Sequence, residues 1–330
     1  MKLRTKIAGT VALPLALAIA SAASAATIVD TDAHRLQIGG FVAAQAYWEM
    51  PDAGEMNYGM DLGSSRLGIN YTNKTNAGDI TYMYEQTVGG RLRHAAILHD
   101  GWVAGQSWSF FANLNGLGET LDANGNAITS SWASRNPLLG KNINLGDGMS
   151  VGVALEERGT NSGNAVVSGA TNASPLPDLT ANFKGNFGGV GIFAAAQMYQ
   201  VNDPTDAKAS EGKVRMTASA SLPLGDTMGV KAAFTADPDR YSAFSASAQM
   251  KMSDQLRTNL VVEQVMDDGA AGDDYMQLWV NAIHKTASGW EWGAEVHMVM
   301  GDGTVIAPTA GGAGTKDGDM TFRLQAKYAF

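Results

Sequence analysis

No cysteine occurs in the 330 residues. Disulfides and thiol nucleophiles are therefore excluded, and a zinc site would have to rest on histidine and carboxylates. Positive charge is also scarce, with 23 Lys and Arg against 32 Asp and Glu. That balance argues against a nucleic-acid partner. Past the N-terminal segment, no stretch approaches the ~18 consecutive apolar residues of a membrane-spanning helix, and apolar residues at helical spacing are hard to find. The five histidines, His34, His94, His99, His284 and His297, lack metal-ligand spacing. No G-x-S-x-G, P-loop or H-E-x-x-H pattern occurs. These absences leave an expectation of no catalytic residue, no metal and no cofactor.

The N-terminus reads differently from the rest. Lys2, Arg4 and Lys6 precede an apolar stretch from Ile7 to Ala20, followed by small residues of the A-x-A kind. This is the pattern of a secretory signal peptide spanning residues 1–25, cut after Ala25. The apolar core is interrupted by Pro14 and falls short of the ~20 residues an anchor needs. Its removal leaves 20 Lys and Arg against 32 Asp and Glu, a net charge of −12, on an exported domain of residues 26–330.

What fills that domain is alternation. The closing segment "TFRLQAKYAF" sets Phe322, Leu324, Ala326, Tyr328 and Phe330 against Thr321, Arg323, Gln325 and Lys327. Successive side chains of a strand point to opposite faces, so one wall is apolar and the other polar and cationic. Residues 35–48, 79–87, 213–222 and 288–300 alternate in the same way. Further segments fall near 62–72, 91–98, 102–111, 134–143, 150–158, 178–187, 190–201, 228–236, 240–252, 254–265 and 274–286, giving about sixteen strands. Many approach the 9–11 residues with which a tilted strand crosses a bilayer.

Long connections (49–61, 112–133, 159–177, 202–211, 266–273, 301–317) tend to alternate with tight ones such as "HDG" at 99–101 and "GG" at 188–189. Long loops on one side and short turns on the other characterise a transmembrane β-barrel. A soluble sheet also alternates. Here, however, the apolar face is almost free of charge, and Trp48, Tyr71, Trp102, Trp290, Tyr328 and Phe330 sit near strand ends, as an interfacial girdle requires. The fold class expected is all-β, a closed antiparallel barrel in the outer membrane of a Gram-negative bacterium, in contact with its lipids. Closure pairs the last strand with the first, since an open edge in lipid leaves backbone groups without partners.

Sixteen strands enclose water rather than a packed core. The longest connection, 112–133, either folds inward and narrows the lumen or lies flat on the surface. Folded inward, it would set Glu119, Asp122, Asn124 and Asn126 opposite the wall. The polar faces carry fourteen cations: Arg35, Arg66, Arg91, Arg93, Arg158, Lys184, Lys213, Arg215, Lys231, Lys251, Arg257, Lys285, Arg323 and Lys327. They carry six carboxylates: Glu85, Glu156, Asp178, Glu263, Glu291 and Glu295. A low-dielectric wall of that sign enriches small anions, and Arg grips carboxylates in a planar, two-pronged way. An Arg/Glu ladder that only solvates the wall is the plainer alternative. The acidic loop 267–274 reads as a solvated tip before it reads as a Ca²⁺ site. A hydrolytic barrel would need a serine beside His94 or His297.

The runs "SSRLGINYTNKTNAGDITYMYE", "RLRHAAI", "GWVAGQSWSFF" and "LNGLGETLD" resemble the DcaP-like, dicarboxylate-channel porins. The likeness is strongest over residues 35–140. It implies a trimeric sixteen-stranded barrel that passes small anionic solutes, with pore roles for Arg66, Arg91 and Arg93. Arg135 in "ASRNP" resembles a basic wall position of that family. Only about ten residues separate Ala25 from the first strand. The coiled-coil extension of some members is therefore not expected, and a homotrimer would rest on barrel-wall packing. Arg215, Arg257, Arg323 and Lys327 complete the expected pore lining. A structural or adhesive barrel with a shut lumen is the competing class.

Overall fold

The computed structural model describes residues 25–52, 54–122, 125–130, 135–157, 176–202, 210–238, 241–267, 274–301 and 318–330. The expected signal peptide, apart from Ala25, lies outside them, as do Asn124, Arg158 and most of the acidic loop 267–274.

The strands are β1 Ala26–Asp30, β2 His34–Met50, β3 Asn57–Asp61, β4 Arg66–Thr75, β5 Gly78–Thr87 and β6 Leu92–His99. They continue with β7 Trp102–Trp108, β8 Arg135–Gly146, β9 Met149–Glu156, β10 Asp178–Phe187, β11 Val190–Asn202 and β12 Ser210–Leu224. The last six are β13 Met228–Asp237, β14 Tyr241–Lys251, β15 Leu256–Asp267, β16 Tyr275–Lys285, β17 Trp290–Met300 and β18 Met320–Ala329. All pairing is antiparallel between neighbours, and β18 closes on β2. A short helix α1, Ala127–Ser130, lies between β7 and β8.

β2 explains why eighteen strands make a sixteen-stranded wall. It is 17 residues long. On one edge, β18 covers Phe41 to Met50 and β1 pairs below it with Arg35 to Ile38. Phe330 sits at the junction, its N–H donating to the Gly40 carbonyl and its carbonyl accepting from Gly40 N–H, 3.0 Å each. On the other edge, β4 covers His34 to Phe41 and β3 covers Gln45 to Glu49. The strand expected over 62–72 thus begins only at Arg66, and β3 forms within the connection expected over 49–61. Between them the Ser65 hydroxyl takes the ladder's place, accepting from Ala43 N–H (2.8 Å) and donating to its carbonyl (3.1 Å). Short β1 leaves no bare edge under the C-terminus.

The two faces separate as the alternation requires. Outward residues such as Val42, Leu139, Leu155, Leu179, Phe244 and Trp292 are exposed, although apolar. Residues at the alternate positions, such as Thr180, Gln197, Arg215, Glu263 and Glu295 on the inner face, are buried. Aromatic pairs stand near the strand ends: Trp290 with Tyr328 (5.3 Å between ring centroids) and Tyr71 with Tyr82 (6.0 Å) beside short turns, and Trp48 with Tyr58 (5.3 Å) at the long-loop side. Lys141 departs from the pattern, pairing with outward Val153. Its ammonium reaches back 3.0 Å to Asp100 in the adjoining turn and lies over the Trp102 ring. This lets the charge escape the apolar zone. That hydrogen bond also holds the Asp100 carboxyl below its ordinary value.

Candidate functional site

β7 ends at Trp108, and the chain then turns off the wall into the lumen. The strand expected to run to residue 111 stops here because Phe110 changes partners. Its N–H donates to Glu156 of β9 (2.8 Å), and its carbonyl accepts from Asn182 of β10 (2.7 Å). The segment then follows the inside of the wall. Asn113 donates to Thr217 Oγ1 (2.9 Å) and accepts from Ser219 (2.6 Å), both on β12. Lys231 of β13 donates to the Leu117 carbonyl (2.7 Å). Leu121 and Asp122 N–H donate to Glu295 of β17 (2.7 and 2.9 Å). Thr129 of α1 donates its N–H and hydroxyl to Glu263 of β15, both at 2.8 Å. Three fully buried wall carboxylates therefore hold the segment by its backbone. Charge-assisted hydrogen bonds of this kind are roughly twice as strong as neutral ones. The inward-folded alternative is the one adopted.

The loop residues expected to face the lumen divide. Asn126 is fully buried and braces the segment, its Oδ1 accepting from Gly118 N–H (2.9 Å) and its Nδ2 donating to Ser245 (2.9 Å). Asp122 is 2 % exposed and lies 3.9 Å from Arg323. Glu119 alone of the described three stays partly open, gripped by Arg257 at 2.7–3.1 Å. Arg257 also meets Glu291 (3.1 Å), which in turn meets Lys327 (3.2 Å).

The opposite stretch of wall is covered differently: Phe110 packs there with Met83, Ala96, Val103 and Leu138, and Glu85, Arg93, His94 and Arg135 are buried. Arg66 begins β4 with its Nε 3.5 Å from Glu85 of β5, and Arg93 of β6 bonds the same carboxylate at 2.5 Å. His94 stands 4.0 Å from it and meets Trp108 edge-on. The Arg135 guanidinium stacks over Trp108 at 3.5 Å, within electrostatic reach of Arg66 and Arg93. Phe41 lies between Arg66 (4.7 Å) and Lys327 (5.1 Å), extending the basic girdle to β18. Guanidinium cannot lose its proton in a protein, so three permanent cations share one carboxylate among these contacts.

Several expected pore-lining positions are placed otherwise. Arg91 is exposed in the link just before β6, not on a wall strand, because the hairpin turn uses residues 88–91. Arg215 and Arg323 are each 1 % exposed, since the inward segment covers them. Arg215 bonds Gln197 and Arg323 bonds Glu295 at 3.0 Å. They offer no surface to a solute. The expected charge excess also shrinks, for Asp237 and Glu49 face inward as well, and the loop adds Glu119 and Asp122. The sequence pattern places neither His94 nor Trp108 beside the arginines of the girdle. A register shift between Glu85 and Gln86 sends both Arg93 and His94 inward, breaking the alternation that would have placed His94 outside. Neither His94 nor His297 has a serine among its described contacts; His297 stacks on Trp279 (4.7 Å) and meets Gln277 (3.1 Å). No cluster of three metal-ligating side chains occurs among the described residues.

Closed, antiparallel, sixteen-stranded and apolar outside, with one long connection pinned inside, the molecule has the architecture of an outer-membrane porin. No protein-family model and no curated protein matches the sequence. Solved structures do match. The outer-membrane channel DcaP of Acinetobacter baumannii aligns with a TM-score of 0.76 at 20% identity, over 92% of this chain and 100% of that one. An anion-selective porin from Comamonas acidovorans aligns at 0.71 and 12% identity, over 90% and 100%. Salmonella typhi OmpF, in complex with daunomycin, aligns at 0.64 and 12% identity, over 92% and 99%. At these identities the likeness concerns the fold.

Proposed function

We propose that this protein is an outer-membrane porin through which small hydrophilic solutes diffuse passively, with a preference for small anions such as carboxylates and dicarboxylates. The observation that carries the preference is the gathering of Arg66, Arg93 and Arg135 near Glu85, the one carboxylate among their described contacts. Glu156, Glu263 and Glu295 are engaged by loop backbone and Glu119 and Glu291 by their own cations, so they oppose this field weakly. A low-dielectric wall focuses the remainder on a passing solute, and paired guanidiniums suit planar carboxylates. The anion-selective Comamonas porin shares the fold, which supports the reading. A homotrimer is part of the proposal, supported by a trimeric Vibrio cholerae OmpT structure of the same fold.

The test is the zero-current potential of the purified protein in a planar bilayer under a salt gradient. Anion preference is expected. Cation preference would overturn the selectivity, and the absence of steady current steps would favour the shut, adhesive barrel.

A further inference from the structure

The arginine girdle is not the whole cationic surface of the lumen. Lys184 of β10 differs from the other wall cations. Arg66, Arg93, Arg257, Arg323 and Lys327 each meet a carboxylate, and Lys231 rests on the Leu117 carbonyl. Lys184 meets neither among the described residues. Its ammonium lies 5.7 Å from the Phe193 ring, and its cross-strand neighbours are Ser150 and Phe193. It lines a cavity of about 170 Å³ between the inward segment at Ala112–Asn115 and strands β9–β11.

The walls of this cavity have two characters. Leu114, Ala112 and Phe193 supply apolar surface. Ser150 and Asn186 supply polar groups beside Lys184. Asn115 fixes the roof rather than facing a ligand: its amide donates to Ser219 (3.0 Å) and Gly191 (3.3 Å), while its oxygen accepts from Ser221 (2.8 Å). Gly191 makes that approach possible, because a Cβ there would stand 2.5 Å from the Ser221 hydroxyl and 3.3 Å from Asn115. The roof is thus held independently of anything in the cavity.

We propose that this cavity is a second anion site, chemically distinct from the girdle, that takes a compact monocarboxylate with an apolar body. A cation without a counterion, close to apolar surface, favours an anion whose remaining surface is itself apolar. A cavity near 150 Å³ is known to hold benzene, so a benzoate-sized molecule fits the volume. A second carboxylate would face Leu114 and Phe193 and lose hydration without a partner. The girdle, with several guanidiniums, has the opposite preference. The site does not depend on the anion selectivity of the pore.

Benzoate and succinate titrated calorimetrically into detergent-solubilised protein give the test. Wild type is expected to bind benzoate more tightly than succinate at a site that Lys184→Met weakens at least tenfold, about the worth of one charged hydrogen bond. Lys184→Arg, which keeps the charge, should stay within about threefold on the same grounds. Arg66→Gln/Arg93→Gln should leave benzoate binding unchanged while altering the zero-current potential. No benzoate binding by wild type, unaltered binding by a folded Lys184→Met protein, or equal loss in the arginine variant would each overturn the proposal. Failure of Lys184→Met to fold transfers the decision to Lys184→Arg and the arginine variant. Benzoate binding that survives in both then upholds the site, and loss in either overturns it.

Discussion

Two stretches of the same wall treat charge in opposite ways. From β9 to β18 the inward segment lies against the barrel, and Glu156, Glu263 and Glu295 accept its backbone N–H groups. Arg323 and Arg257 balance what acid remains there. From β4 to β8 the cover is apolar, Phe110 packing with Met83, Val103 and Leu138, and Arg66, Arg93 and Arg135 outnumber Glu85 among the described contacts. Counting charges on the inner face therefore misjudges the field a solute meets. What decides it is which carboxylates already have structural work.

The largest effect should come from breaking the covered side. Glu295→Ala removes the acceptor for Leu121 and Asp122 N–H and takes from the fully buried Arg323 its 3.0 Å carboxylate, leaving Asp122 at 3.9 Å. Losing one partner of a buried pair is typically worth about 3–5 kcal/mol. A lower unfolding temperature of the barrel, read by the heat-dependent shift on electrophoresis, and larger or noisier single-channel currents are expected. Unaltered values of both would mean the pin is dispensable. Next in size is the arginine-rich wall. Arg66→Gln/Arg93→Gln should move the zero-current potential toward zero while circular dichroism stays β-rich; Glu85→Gln should move it the other way.

Smaller still is Ser65→Ala, which deletes the hydroxyl standing in for the ladder at Ala43. About 1–3 kcal/mol is expected, because the Ala43 groups are left buried without a partner. Denaturant titration checks it, and a change within error would show that water or backbone shift replaces the hydroxyl. The smallest effect belongs to the exposed pair Lys74–Asp30 at 2.6 Å. Lys74→Ala should alter stability by less than about 1 kcal/mol.

The barrel was legible because period two is imposed on every strand by lipid outside and water inside. Residues 213–222 or 290–300 could hardly be read otherwise. What escaped the pattern has local causes. Residues 62–65 leave the ladder, and nothing in their composition announces that Ser65 will replace two backbone partners. One extra residue on β6, Arg93 between Leu92 and His94, reverses the parity of the strand, so simple alternation puts His94 outward where the structure buries it. Arg215 and Arg323 read as pore lining because alternation gives the face but not what covers it. Glu119 was the loop residue best placed by sequence, and Asp122 and Asn126 became struts.

The central claim is that selectivity resides on the arginine-rich wall of β4 to β8. It is tested most directly by comparing zero-current potentials of Arg66→Gln/Arg93→Gln with those of the charge-neutral pair variant Glu119→Gln/Arg257→Gln in one salt gradient. The first should lose most of the anion preference and the second should keep it. Equal losses, or loss only in the pair variant, would contradict the account.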